Sequence, residues 1–438
     1  MSDTTTLQRV HKALTSEDDG RTCRDIPDSA CREQPANFLT HVTALAMTKT
    51  GDGLLDPKLV LAWLLTALGS PAAIVGLLVP VREAGALLPQ LITAGYIRAM
   101  KQRKWAWVAG SAVQGLAVLA IAATALTLQG GAAGVTIIAL LALFALGRSV
   151  CSVSYKDVLG KTVAKATRGT ATGSAGTLAA SAVLLFGILL ALDLLPRTTT
   201  TIAIVLTFAA GLWLTAAALM STLTEEPGET EGGNNALLTA RDNLKLLYTD
   251  CHLRRFIATR ALLTATALAP PYILALAGSN APDDARLGFF IIASSLAALT
   301  TNYIWGRLAD RSSRRVLILA AIIATISLLA TATLGLYAQD APWLAYALPA
   351  SLFLLMIAYQ GVRLGRSVHL VDMATPDTRA AYTALSNTTI GLLLLAASAF
   401  AGLTQTLGVP ATLLAFATMT TLATITAATL DEVQQDNQ

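Results

Sequence analysis

The sequence predicts an all-α integral membrane protein with twelve transmembrane helices arranged as two parallel six-helix bundles. Three observations carry that expectation. Hydrophobic residues make up 54% of the 438-residue chain, charged residues only 13%, and mean hydropathy is +0.60. An average soluble domain carries roughly 25% charged residues, so most of this surface must face lipid. Apolar stretches of membrane length recur along the chain. Finally, Gly147-Arg148-Ser149-Val150 returns as Gly365-Arg366-Ser367-Val368, 218 positions later.

In chain order, residues 1–36 are polar, carry Ser16-Glu17-Asp18-Asp19-Gly20, and read as a disordered cytoplasmic tail. No signal peptide is visible, so the first span is expected to serve as the insertion signal. Spans are expected at about 42–67, 71–98, 104–127, 133–155, 171–192 and 200–222, forming a bundle over 37–222. A hydrophilic connector, 223–253, contains Glu225-Glu226-Pro227 and Gly232-Gly233. The second bundle, 254–430, holds spans at about 255–278, 285–305, 314–337, 343–367, 381–404 and 409–430, before a short tail at 431–438.

Lys and Arg cluster in the loops after spans two, four, eight and ten, while the other face offers only Lys58, Arg197 and Arg286. This places both termini in the cytoplasm of an inner-membrane protein. The formal charge of +4 thus reports orientation, not nucleic-acid binding. Cys23, Cys31, Cys151 and Cys251 all fall at or near the cytoplasmic face and are expected reduced. Cys23 and Cys31 with His11 fit no standard metal spacing, and no cofactor or metal is expected. No Walker loop, H-E-x-x-H or G-x-S-x-G is present, so the sequence supports neither an ATP-driven pump nor a hydrolase, and the chain is read as not an enzyme.

Between spans eight and nine the chain reads Gly306-Arg-Leu-Ala-Asp-Arg-Ser-Ser-Arg-Arg-Val316. So many charges in a short link require a turn at the water interface. The link resembles the signature loop of the major facilitator superfamily, G-x-L-a-D-r-x-G-r-r, with Ser313 in place of the second glycine. A degenerate copy lies 211 positions earlier, at Gly95 to Trp105, where Arg103 and Lys104 keep the pattern but Ala99 replaces the Asp. The resemblance covers about residues 40–430. It implies alternating access around a site between the halves, and a cytoplasmic gate built from Gly306, Asp310, Arg311, Arg314, Arg315, Arg103 and Lys104. It also implies that Asp310 pairs across to the neighbouring bundle when the carrier is closed to the cytoplasm.

An ionisable group near the bilayer centre costs about 2.5–3.5 kcal/mol on insertion scales, so each needs a partner, a wet cavity or a function. Asp52, flanked by Gly51 and Gly53, lies near the midplane of span one and is either a proton carrier or a structural partner of Arg82. Arg82 and Glu83 are adjacent on a helix and point about 100° apart, so they are not expected to face one cavity. Glu83 is the second proton-carrier candidate, with a structural role the other reading. Lys49 and Arg260, each preceded by Thr and 211 positions apart, stand at related places on spans one and seven. With Arg82 they are candidate substrate contacts, and an anion clamp from Lys49 and Arg260 competes with simple snorkelling. Arg148 and Arg366 read as structural charges near the interface, with Asp157 and Asp372 as counter-charges, and His369 is expected to be wet.

These readings converge on a secondary active transporter of a small organic solute, proton-coupled, with efflux favoured over uptake of a nutrient or organic anion. The expected partners are a small-molecule substrate, protons and the lipid bilayer, with no nucleic acid, and a monomer is expected. The competing reading from another class is a transport-inactive receptor or scaffold.

Overall fold

The computed structural model describes residues 28–227, 246–278, 286–338, 341–375 and 379–434, and among these every regular element is an α-helix. The first half contains α1 (Asp28–Leu55), α2 (Val60–Ala67), α3 (Ala72–Val75), α4 (Leu78–Leu87), α5 (Gln90–Arg98), α6 (Lys104–Thr127), α7 (Gly130–Thr162), α8 (Lys165–Ala191) and α9 (Thr199–Ser221). The second half contains α10 (Leu246–Thr249), α11 (Cys251–Leu262), α12 (Ala265–Leu268), α13 (Pro270–Gly278), α14 (Arg286–Arg311), α15 (Ser313–Tyr337), α16 (Leu344–Met373), α17 (Arg379–Ala396) and α18 (Ala399–Ala428).

Among the described residues, eight helical segments are long and apolar enough to cross a membrane, and the bent α14 makes a ninth. The three remaining expected passes are spans one, two and eleven, and each is broken or shortened for a visible reason. Span one splits after Leu55, where Asp56 and Pro57 interrupt the ladder and the Asp56 carboxylate accepts from the Lys58 N–H at 2.9 Å. Span two is cut into α3, α4 and α5, with Pro71 and Pro89 at helix starts and Arg82 and Glu83 lowering its hydropathy. Span eleven breaks at 396–399, and its continuation turns into span twelve at Gly408, whose φ of +83° only glycine adopts readily, just before Pro410.

Two edges of the expected domains shift. α1 begins at Asp28, inside the tail expected to be disordered, and buries Gln34 and Asn37, the latter bonded both ways to the Thr224 backbone. At the other end, Glu432 and Gln434 dock on Ser312 and Ser313, so the described part of the C-terminal tail is anchored. Residues 1–27, with His11 and Cys23, the connector's Gly232-Gly233 and residues 435–438 lie outside the described residues.

Within the first half, α6 packs on α7 and α9; within the second, α15 packs on α16 and α18. The halves meet along two seams, α8 with α14 and α4 with α17. Leu116, Leu126, Val135, Leu185 and Phe208 point outward, as lipid-facing side chains would. The seams are tightest away from the face that carries the described ends of the chain. A Cβ at Gly288 of α14 would lie 2.5 Å from the Ala191 nitrogen of α8, and one at Gly76 would lie 2.6 Å from Ala401. Toward the terminal face, Gly169 and Gly173 of α8 and Gly306 of α14 have nothing within 4 Å of such an atom. The opposite face of the seam is closed by small residues, and these three glycines of α8 and α14 leave open space toward the terminal face.

Candidate functional site

The site is built where the broken spans one and two meet α7 and the second half. Gly51 and Gly53 let α1 approach its neighbours closely: a Cβ at Gly51 would strike the Trp213 ring at 2.8 Å, and one at Gly53 would strike Val183 at 2.4 Å. This close packing fixes Asp52 between two guanidinium groups. Arg148 of α7 forms an ion pair with Asp52 at 2.9 Å, and Arg82 of α4 reaches it at 3.5 Å. Arg82 also donates to Glu83 at 3.0 Å.

Arg82 and Glu83 touch, yet only Glu83 lines the cavity between the halves, as two adjacent helical residues pointing about 100° apart are expected to divide. Their Cβ atoms diverge, but the guanidinium sits on a long stem and folds back to the neighbouring carboxylate. The pairing of Arg148 is corrected. Arg148 and Asp157 lie nine residues apart on α7, which puts them on opposite sides of the helix. Asp157 instead pairs with Arg103, and Arg148 turns inward to Asp52. The rotation of α7 is set by its crossing with α6, where a Cβ at either Gly110 or Gly147 would meet the other's carbonyl oxygen at 2.7 Å.

The repeat places Arg366 similarly. Gly365 packs α16 on Val316 and Leu317 of α15, and Arg366 then faces the seam rather than Asp372. Asp372 accepts from Gln434 at 2.8 Å. Arg366 lines a cavity between the halves together with Glu83, Arg260, Tyr359, Arg363 and Leu263. The volume of this cavity is about 30 Å³. That is room for a water or two, so the cavity is collapsed around its side chains.

Lys49 and Arg260 are not brought together as one clamp. Lys49 donates to the Thr172 carbonyl of α8 at 3.0 Å, inside its own half. Arg260 borders the cavity, donating to Ser386 at 2.7 Å and Asn387 at 2.8 Å, while its buried Nε has no acceptor. Asn387 in turn donates to Gln90 across the seam at 3.0 Å. A second link between the halves is Lys58, whose ammonium sits 3.5 Å above the Tyr359 ring.

Of the residues expected at the gate, Arg103, Lys104 and Arg314 are engaged within their own halves. Arg103 pairs with Asp157; the Lys104 ammonium donates to the Ser221 and Leu223 carbonyls at 2.9 and 2.7 Å. Arg314 donates to the Ala428 carbonyl at 2.6 Å. Gly306 leaves open space, Arg311 and Arg315 are exposed, and Asp310 is exposed without an ion pair among the described residues. Among the described residues, no bond of the kind expected for a gate closed on this face is formed. His369 is not wet: it is buried, stacked on Phe256 and bonded to Ser313 at 2.9 Å.

Four contributors escaped the sequence reading. Ser313, standing where the loop motif has glycine, holds His369 and Gln434. Glu225, whose side chain is 0% exposed, accepts from the N–H groups of Arg103 and Lys104 at 3.2 and 2.8 Å and from Lys161 at 3.5 Å. Tyr359 and Arg363 line the cavity. Arg363 was legible: it precedes Arg366 by three residues, the spacing that shares a helix face. At the start of α11, Asp250 caps the helix by accepting from His252 and Leu253 at 2.9 and 3.0 Å. Partial burial pushes its carboxyl up, but the Tyr382 hydroxyl and these two N–H groups outweigh that and hold it below its ordinary value.

No family model matches the chain, and no curated protein matches it by sequence. Solved structures do. A point mutant of the nucleoside transporter NupG is similar with a TM-score of 0.70 and 12% identity, covering 90% of this chain and 99% of that one. A D-xylose-proton symporter is similar with a TM-score of 0.70 and 12% identity, over 91% and 98%. A POT family transporter in complex with a thioalcohol-conjugated peptide gives 0.68 and 11%, over 92% and 97%. At such identities the likeness shows the fold. The chain is an all-α membrane protein with the fold of the major facilitator superfamily, as the loop after span eight implied.

Proposed function

We propose that this protein is a secondary active transporter that moves a small organic solute by alternating access and couples it to protons at the Asp52–Arg82–Glu83 cluster. One observation carries the reading. Two carboxylates share one guanidinium beside a collapsed cavity on the seam between the halves. A purely structural protein would gain little from ionisable groups held there at such desolvation cost. The similar solved structures of a nucleoside transporter and a D-xylose-proton symporter support transport by this fold.

In this mechanism the cluster is charge-balanced with both acids ionised: Asp52 and Glu83 against Arg82 and Arg148. A proton on either acid releases one arm of Arg82 and leaves excess positive charge at the seam. Relieving that charge favours a different packing of α4 against α17. The tight face then opens as the terminal face closes, and Asp310 with Arg311, Arg314 and Arg315 meets the other half. The cytoplasmic termini and inner-membrane location follow from the Lys and Arg bias of the terminal-face loops.

Antiport at this cluster gives efflux, the direction we favour. Symport is the second reading, and the relative named as a proton symporter supports it. The test is purified protein in liposomes with a pH dye inside and a panel of organic anions, cations and neutral sugars added outside. The expected result is substrate-dependent proton movement whose sign gives the direction. Asp52→Asn and Glu83→Gln should lower gradient-driven transport about tenfold while sparing exchange of labelled for unlabelled substrate. Undiminished gradient-driven transport in both variants would sink the coupling, and a silent panel with silent exchange would favour the scaffold.

A further inference from the structure

The second-half wall of the cavity carries three guanidinium groups and, among the described residues, no carboxylate. Arg363 and Arg366 stand on one face of α16, and Arg260 comes from α11. Arg363 and Arg366 have neither a hydrogen bond nor an ion pair among the described residues. Arg260 is 8% exposed, has only neutral partners, and leaves its buried Nε unsatisfied. Glu83 is the one acid on the cavity wall, and it already belongs to Arg82. Arg260 is buried and Arg366 half-buried, so their unpaired charge is costly unless something neutralises it, whereas Arg363 is exposed and able to swing onto a ligand; planar guanidinium forks match oxyanions in two-pronged fashion. The rest of the wall is apolar: Leu87, Leu263, Val362, Ile390 and Leu394.

We propose that this cavity binds a small amphipathic organic anion, its oxyanion head held by Arg363, Arg366 and Arg260 and its apolar body lying on Leu263, Val362 and Ile390. The proposal deepens the transport reading, which supplies the anion's role as cargo; binding itself is measurable without turnover. The head groups come chiefly from α16, not from the Lys49–Arg260 pair. Because the collapsed space holds only a water or two, the side chains must part around the ligand, and the open space at the terminal-face seam is where it enters.

The test uses the full chain in detergent, with thermal melting and calorimetric titration against hexanoate, phenyl phosphate, inorganic phosphate, benzyl alcohol and benzylammonium. Hexanoate or phenyl phosphate should bind saturably and raise the melting temperature; benzyl alcohol, benzylammonium and inorganic phosphate should not match them. Arg363→Gln and Arg366→Gln should each weaken the anion about tenfold, and Arg363→Lys should recover part of the loss. Without ligand, Arg366→Gln should melt higher than wild type because it removes a half-buried unpaired cation, an outcome that a structural arginine would reverse. Equal binding of the alcohol, the ammonium or inorganic phosphate would overturn the proposal. So would no binding of either organic anion, or Gln variants that bind as wild type does. Anion binding with no transport would leave this site standing and remove only the transport reading.

Discussion

The two halves of the molecule treat their buried charges in opposite ways. In the first half Arg148 meets Asp52, and Arg82 bridges Asp52 and Glu83. In the second half Arg366, the repeat partner of Arg148, meets no acid. The offset of 211 that relates Lys49 to Arg260 relates Asp52 to Leu263, and the same step from Arg82 and Glu83 leads to Ala293 and Ser294. The repeat therefore conserves the cation and not its counter-charge. A half with balanced charge suits proton exchange; a half with spare cations suits an anionic ligand.

Removing the acid from the balanced half should have the largest effect. Asp52→Ala strands Arg148 and half of Arg82, and is expected to cost about 3–5 kcal/mol, read as a large drop in melting temperature or loss of folded yield. Adding an acid to the unbalanced half should do the reverse. Leu263→Asp beside Arg366 is expected to abolish the melting shift given by organic anions while leaving the protein folded, because the second half then neutralises itself as the first does. An anion response that survives Leu263→Asp would break the comparison.

The helix-capping carboxylates sharpen the contrast more gently. Glu225, fully buried at the start of α6, is expected to cost about 1–3 kcal/mol on change to Ala, since two N–H groups and Lys161 lose their acceptor. Asp250, partly open to water at the start of α11, is expected to cost about 1 kcal/mol on change to Ala. Its folded carboxyl sits below the ordinary 3.8, so its contribution is full at neutral pH and fades as pH falls through the folded value. The gap in melting temperature between wild type and Asp250→Ala should accordingly shrink on acidification below pH 3.8.

The fold was legible because apolar runs of membrane length and the repeated Gly-Arg-Ser-Val depend only on local sequence. Asp52 was legible too, through its flanking glycines. So was one partner, Arg82; the other was not, because Arg148 faces Asp52 only where Gly110 and Gly147 set the rotation of α7, and rotation is a property of packing. Arg363 was counted with the interfacial charges because Lys and Arg near a span end ordinarily report topology. Ser313 was read as a departure from a motif, whereas the structure uses its hydroxyl to hold His369 and Gln434. Breaks at Asp56-Pro57, Pro89 and Gly408 explain why the spans nearest the site are the least regular.

The central claim is that the halves rock about the charged seam. The most direct test is pulsed dipolar distance measurement between spin labels in a background lacking the native cysteines. One pair sits on the terminal face at Gly173 and Gly306, where a side chain meets nothing, and another on the opposite face at Gly131 and Tyr337. The expected result is two distance populations for each pair, shifting in opposite senses when pH falls or phenyl phosphate is added. A single distance at both faces, unmoved by either, would contradict alternating access.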